Sequence, residues 1–342
     1  MGYVLLDDRV LLDIANAIRA KYGTSETYKP SEMANAVYSL MPDGTGENVV
    51  DGMITKTLVE ARFCSTVSIP SCAFSSFSLL ATAEFPMCKT IGSWAFYGCS
   101  SLSHTSFGSC ETIGEDAFYR CVGLSHIDVG SCIQLGAEAF ASCTALSNID
   151  LPLLETIPTR CFRSCIGLMS VTASSCVTVM QSAFYDCTSL QTVEMPLCRY
   201  IEGGAFRYCS SLSGVRADRC IEVGAWAFYE CTSLASISLP DCRNVDANAF
   251  QECTSLSHVT IGECSQIYSY AFHRCMNLTT LNLATVTAVP ELESVNAFSS
   301  TPIGGYSASA GIYGRIVVPS TLYSEFIIAS NWSQLSERIV GA

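Results

Sequence analysis

A phenylalanine returns every 22 residues through most of this chain, and that interval restricts the fold more than any other feature. Phe74, Phe96, Phe118, Phe140, Phe162, Phe184, Phe206, Phe228, Phe250 and Phe272 keep the spacing, and Phe298 follows after 26 residues. Alanine precedes each of them except Phe162, which follows Cys161. Leucine stands six residues after the phenylalanine from Leu102 to Leu278, Ile or Val usually nine after, and an aliphatic residue seventeen after, from Ile91 to Val289. Self-similarity at a fixed period identifies a solenoid, in which a coil buries its apolar side only against its neighbours.

The spacing within a coil predicts its local structure. Ala95, Phe96, Cys99 and Leu102 fall at i, i+1, i+4 and i+7, one face of a short helical turn. Ile127 and Val129, like Ile237 and Leu239, alternate with polar neighbours as a half-buried strand does. Pro or Gly ends that strand at Gly108, Gly130, Pro152, Pro196 and Pro240. Each coil is therefore expected to hold one short helix and one short strand. Stacking about ten such coils over residues 63–298 gives an α/β solenoid whose parallel strand ladder, at ~4.8 Å per strand, runs for about 50 Å.

Twenty cysteines would ordinarily suggest disulfides or metal. From Cys88 to Cys275, however, cysteine takes every eleventh position, with Leu154 the one exception. Eleven is half the period, so there are two ladders, one three residues after each Phe and one fourteen after. Only Cys64, Cys72 and Cys161 lie off them. No CxxC occurs, the four histidines share no cysteine-rich cluster, and an odd ladder of nine cannot pair fully. Small, buried, inert fillers at the two corners of each coil are the better reading. Such a chain is expected to assemble in a reducing or anoxic setting.

Residues 1–42 lie outside the repeat and read as a small helical hairpin, LLDIANAIRAKYG followed by KPSEMANAVYSL, with Gly23 as a stop and Ser31 as a cap. Residues 43–62 form a linker and leading strand, and 299–342 a C-terminal cap of strand, helix and closing helix. No stretch approaches the ~20 apolar residues of a membrane span. Asp7, Asp8 and Asp13 occupy the region where a secretory signal carries cations and an apolar run, so none is expected. The charge of −13 argues against nucleic acid and anionic membranes as partners. HExxH, Walker, GxGxxG, EF-hand and GxSxG motifs are absent, so no catalytic residues, metal or cofactor are assigned.

The unit AFxxCxxLxxVxLPxxCxxIxxxAF, as in Ala227–Phe250, resembles the BspA-like leucine-rich repeats. The match covers residues 63–298, departing in a period shorter than the family's usual one and in the regular cysteine ladders. The resemblance implies surface adhesion or ligand recognition in bacteria, without catalysis. The two ends are similar to modules of phage and prophage tail-associated proteins of gut bacteria. That second resemblance implies a virion tail or bacterial surface location, with residues 1–42 docking to a larger assembly.

Two candidate binding faces follow. The strand positions eight and ten after each Phe vary freely and include His104, His126, Asp128 and Asp150. His104 and His126 would meet across one strand spacing, but no third metal ligand joins them, so a solvated polar ladder is preferred. The other face is aromatic: Trp94, Trp226 and Tyr270 two before the Phe, and Tyr97, Tyr119 and Tyr229 one after. These are candidate anchors for a cell-surface protein or glycan, set against rings that merely cover the rim of the coil. The alternative to a binding module is a structural spacer whose repeats contact only sister subunits. The ligand, and whether the chain forms a homo-oligomer, stay open.

Overall fold

A computed structural model describes residues 58–63, 66–305 and 313–342. The expected hairpin in residues 1–42, most of the linker and Cys64 lie outside the described residues. The chain divides into two compact units at the Leu151–Pro152 bond. The fold is a parallel-strand solenoid of about 12 turns of ~22 residues.

The 22-residue register holds for the strand pairs up to Gln266 and Thr280 and lengthens beyond them, where Ile267 pairs with Leu292 and Thr280 with Arg315. In the first unit Ala61, Ala83 and Thr105 are successive partners. In the second, Val171, Val193 and Val215 are. Each coil also carries a second, two-residue strand that the side-chain spacing does not reveal. Ile69, Ile91, Ile113 and Leu135 form one such row. Val179, Ile201, Val223, Val245, Ile267 and Leu292 belong to another. Apart from Ile69, which precedes Phe74, and Leu292, which stands twenty after Phe272, these are the aliphatic residues seventeen after a Phe. Two residues are too short a run for period-two patterning to show.

The helix expected around each Phe is not there, apart from the 3₁₀ turn Val295–Phe298. Among the described residues the only α-helix is Tyr323–Phe326, in the cap. The Ala-Phe segment is instead a pair of tight turns whose alternate amides point at the next coil. Trp94, Phe96 and Gly98 donate to the carbonyls of Glu115, Ala117 and Tyr119 at 2.9, 2.8 and 2.7 Å. The amides between them close local turns, Tyr97 to Trp94 at 3.2 Å and Cys99 to Phe96 at 3.1 Å. The residues two before and two after the Phe hold left-handed backbone, as at Trp94 (φ 60°), Gly98 (φ 69°), Asp116 (φ 54°) and Arg120 (φ 58°). Helix and double turn place Ala, Phe, Cys and Leu on the same side, so the side-chain spacing cannot separate them. Stacking decides, because only the turn offers its backbone to the next coil.

Stacked rings fill the core. Phe74, Phe96, Phe118 and Phe140 follow one another at 5.2, 5.1 and 5.3 Å, nearly parallel. In the second unit the column runs from Phe162 through Phe272 to Phe298, the last step at 5.6 Å. A shorter column of Phe63, Phe85 and Phe107 lies beside the first, with centroids 5.0 and 5.8 Å apart. Every ladder cysteine is buried, and among the described residues none is held in a disulfide. Several sulfurs of the first ladder donate to the Phe carbonyl of the coil below, as Cys99 does to Phe74 at 3.1 Å and Cys209 to Phe184 at 3.1 Å. The second ladder donates to the carbonyl two residues on, as Cys110 does to Thr112 at 3.4 Å. Cysteine is thus more than an apolar filler. It is a small side chain with a donor for a buried carbonyl.

The cap differs in part from the expected strand, helix and closing helix. Arg315–Val318 extends the ladder beyond Thr280–Asn282, and Ile339–Gly341 adds a further strand. The closing segment Trp332–Arg338 is a 3₁₀ helix. Trp332 tilts against Phe298 at 6.2 Å and donates its indole N–H to the Pro290 carbonyl at 2.7 Å. These strands bring the turns to about 12 rather than ten; without an Ala-Phe marker they do not announce themselves as coils.

Candidate functional site

The strand face is less continuous than the sequence implies. His104 lies on the strand His104–Ser106 and is exposed, its Nδ1 3.0 Å from the Ser103 hydroxyl. Ile127 and Val129 are buried and His126 and Asp128 exposed, as the alternation predicts, yet residues 126–129 form no strand. The expected His104–His126 rung is therefore not a strand pair. Asp128 instead accepts from the Gly130 amide at 3.0 Å, closing a local turn. Asp150 is exposed on Asn148–Asp150. Among the described residues no group of three His, Cys, Asp or Glu is placed to hold a metal ion.

The turn edge is chemically richer, and each unit has its own patch. In the first, Trp94 is 40% exposed, with its indole N–H on the Asp116 carboxylate at 2.7 Å. Asp116 occupies the same position one coil on. Tyr97 and Tyr119 stack face to face at 5.1 Å, and Arg120 lies over Tyr119 at 5.4 Å. Those two rings use their faces on each other. The indole of Trp94 presents the open one.

In the second unit Trp226 and Tyr270 are 45% and 41% exposed. The amide of Trp226 donates to Ala247 and that of Asn248 to Ser269, so Trp226, Asn248 and Tyr270 succeed one another on three coils. Two strand spacings, about 10 Å, separate the rings, with an amide side chain between them. The edge of Tyr270 meets the His273 ring at 5.4 Å. Tyr229 belongs to a separate cluster. Tyr208 stands edge-on to Tyr185 and Tyr229 at 5.3 and 5.6 Å. Arg207 lies 4.8 Å from the Tyr208 ring and 4.9 Å from that of Tyr229. Arg207 and Tyr208 were not singled out from the sequence. The signal was available: Arg207 holds the position between Tyr185 and Tyr229 in the column one after the Phe.

All three open rings sit at φ near +60° (Trp94 60°, Trp226 56°, Tyr270 60°). Side chains at this position project from a turn edge whose backbone is fixed by the adjoining coil.

The repeat matches the profile of the BspA type leucine rich repeat region in six copies, over residues 67–191 and 177–303. The chain belongs to this family. No curated protein matches it. Among solved structures it is similar to a leucine rich cell surface protein from Faecalibacterium prausnitzii, at 20% identity over 81% of this chain and 87% of that one, with a TM-score of 0.44. A leucine-rich repeat protein from Bacteroides ovatus is 21% identical over 67% and 87%, with a TM-score of 0.28. The T. pallidum leucine rich repeat protein is 22% identical over 52% and 78%, with a TM-score of 0.39. Leucine-rich repeat proteins are in general protein-binding or adhesion modules.

Proposed function

We propose that the chain is a non-enzymatic recognition protein that holds a cell-surface protein or glycan on the open rings of its turn edge. The left-handed backbone under Trp94, Trp226 and Tyr270 carries this reading. A non-glycine residue held there costs about 1–2 kcal/mol, and Gly204 shows that glycine serves the same position (φ 64°). An exposed ring recovers little of that cost through packing. Keeping a large aromatic where glycine is intrinsically better suits a role in recognition. The setting we favour is a virion tail or a bacterial surface, with residues 1–42 docking the chain to a larger assembly. The likeness of both ends to phage tail-associated proteins supports it.

The test compares the full chain with Trp94→Gly and with a Trp226→Gly, Tyr270→Gly double variant on arrayed glycans and bacterial envelope fractions. Binding should fall by about tenfold or more, while Tm rises because the turn relaxes. Parent-like binding by both variants would remove the turn edge from consideration. A parent chain that binds nothing would favour the spacer reading.

A further inference from the structure

A groove in the second unit lies at the other corner of the coil, beside the second cysteine ladder, and the recognition reading does not use it. Its volume is about 550 Å³, and Arg199, Arg219, Ile221, Asp241, Arg243 and Glu263 line it. The chain has 18 basic residues against 31 acidic ones, yet three arginines converge here. The amide of Ile221 donates to Arg199 and that of Arg243 to Ile221, both at 2.8 Å. Arg199 and Arg243 are therefore two coils apart, about 10 Å, with half-buried Ile221 between them.

Their charges are not spent equally. Arg219 pairs with Asp241 at 3.3 Å. Among the described residues the Arg199 guanidinium meets only the face of Tyr200, at 5.8 Å. Among the described residues Arg243 and Glu263 make no side-chain ion pair or hydrogen bond. The groove thus offers two uncommitted guanidinium forks, which suit carboxylates bidentately. It also offers carboxylates that can only accept hydrogen bonds. A polyanion without donors, such as polyphosphate, would meet repulsion at Asp241 and Glu263. A hydroxylated acid would not.

We propose that this groove binds an acidic oligosaccharide of uronate type. Arg199 and Arg243 take carboxylates, Glu263 and Asp241 accept sugar hydroxyls, and Ile221 supports the apolar face of a ring. The test titrates the full-length protein with an oligogalacturonate, with its uncharged methyl ester, and with a poly-glutamate peptide. The acid should bind about tenfold or more tightly than the ester, and more weakly as salt rises. An Arg199→Gln, Arg243→Gln double variant should lose about tenfold in affinity without a change in Tm, because both side chains lie on the surface. Glu263→Gln should weaken the sugar but not the peptide. No binding of the acid, equal binding of the ester, or parent-like affinity in the arginine variant overturns the proposal. Tighter binding of poly-glutamate would make it a peptide groove and overturn it equally. The Trp226→Gly, Tyr270→Gly variant should bind the acid unchanged, so that this site and the turn edge fail or succeed separately.

Discussion

At the residue scale, individual positions deviate from what the repeat prescribes, and the deviations are informative. Thr105 stands in the row that holds Ala61 and Ala83. Its hydroxyl is buried without a hydrogen-bond partner. Such a group costs about 1–3 kcal/mol relative to an apolar isostere. Thr105→Val should therefore raise stability by about 1 kcal/mol, read as a higher urea midpoint with an unchanged slope. Trp94, Trp226 and Tyr270 deviate in the opposite sense, since they add strain where glycine would relieve it. Their variability and aromatic character were legible in the sequence. The left-handed backbone beneath them was not, because positive φ is usually signalled by Gly, Asn or Asp. Here Trp, Arg, Glu and Tyr adopt it under the constraint of the next coil. Glycine does mark a close approach in the first unit: a Cβ on Gly114 would lie 2.5 Å from the Ser93 amide nitrogen of the preceding coil.

At the element scale, the stacked phenylalanines join one turn to the next. Phe184 lies between Phe162 at 5.3 Å and Phe206 at 5.2 Å, fully buried. Each stacked pair is worth roughly 0.5–1.5 kcal/mol beyond area burial. Phe184→Ala should thus cost about 3–5 kcal/mol. Because coils interact only with neighbours, hydrogen exchange should accelerate first in the turns on either side of residue 184. Uniform acceleration across the second unit would mean that its coils unfold as one body. The same logic explains why the segment is a double turn and not a helix. Its side-chain spacing is real, but a helix satisfies its own amides and leaves none for stacking. The turn exchanges that local satisfaction for a ladder to the next coil.

At the scale of the whole molecule, the cysteine ladders couple stability to pH. Burial pushes the thiols of Cys110, Cys220 and Cys264 up to about 12 and that of Cys132 to about 11, against an ordinary value of 9.0. A folded-state value above the unfolded one gives stability that is fully present below about pH 9 and lost as pH rises toward the folded value. Each thiol loses about 1.4 kcal/mol per pH unit in that window. Four of them at about pH 10 remove roughly 5 kcal/mol, comparable with the whole stability of an ordinary domain. The chain should unfold steeply between about pH 9 and 10.5, followed by far-ultraviolet circular dichroism. A Cys110→Ala, Cys132→Ala, Cys220→Ala, Cys264→Ala variant should show a shallower slope. Unchanged ellipticity at pH 11 would contradict the burial assigned to these thiols.

Four features follow from spacing alone: the period, the stacking of Phe on Phe, the two thiol corners and the parallel register. Each of those needs only that residues 22 apart share one environment, which composition at fixed spacing states outright. The tertiary structure decided the conformation of the Ala-Phe segment, the second strand of each coil, the gap at residues 126–129 and the convergence of Arg199, Arg219 and Arg243. Those depend on where an amide finds its acceptor and on which coil a side chain leans toward. Hydrogen bonds between coils are made by backbone atoms that every residue possesses, so no spacing of side chains encodes them.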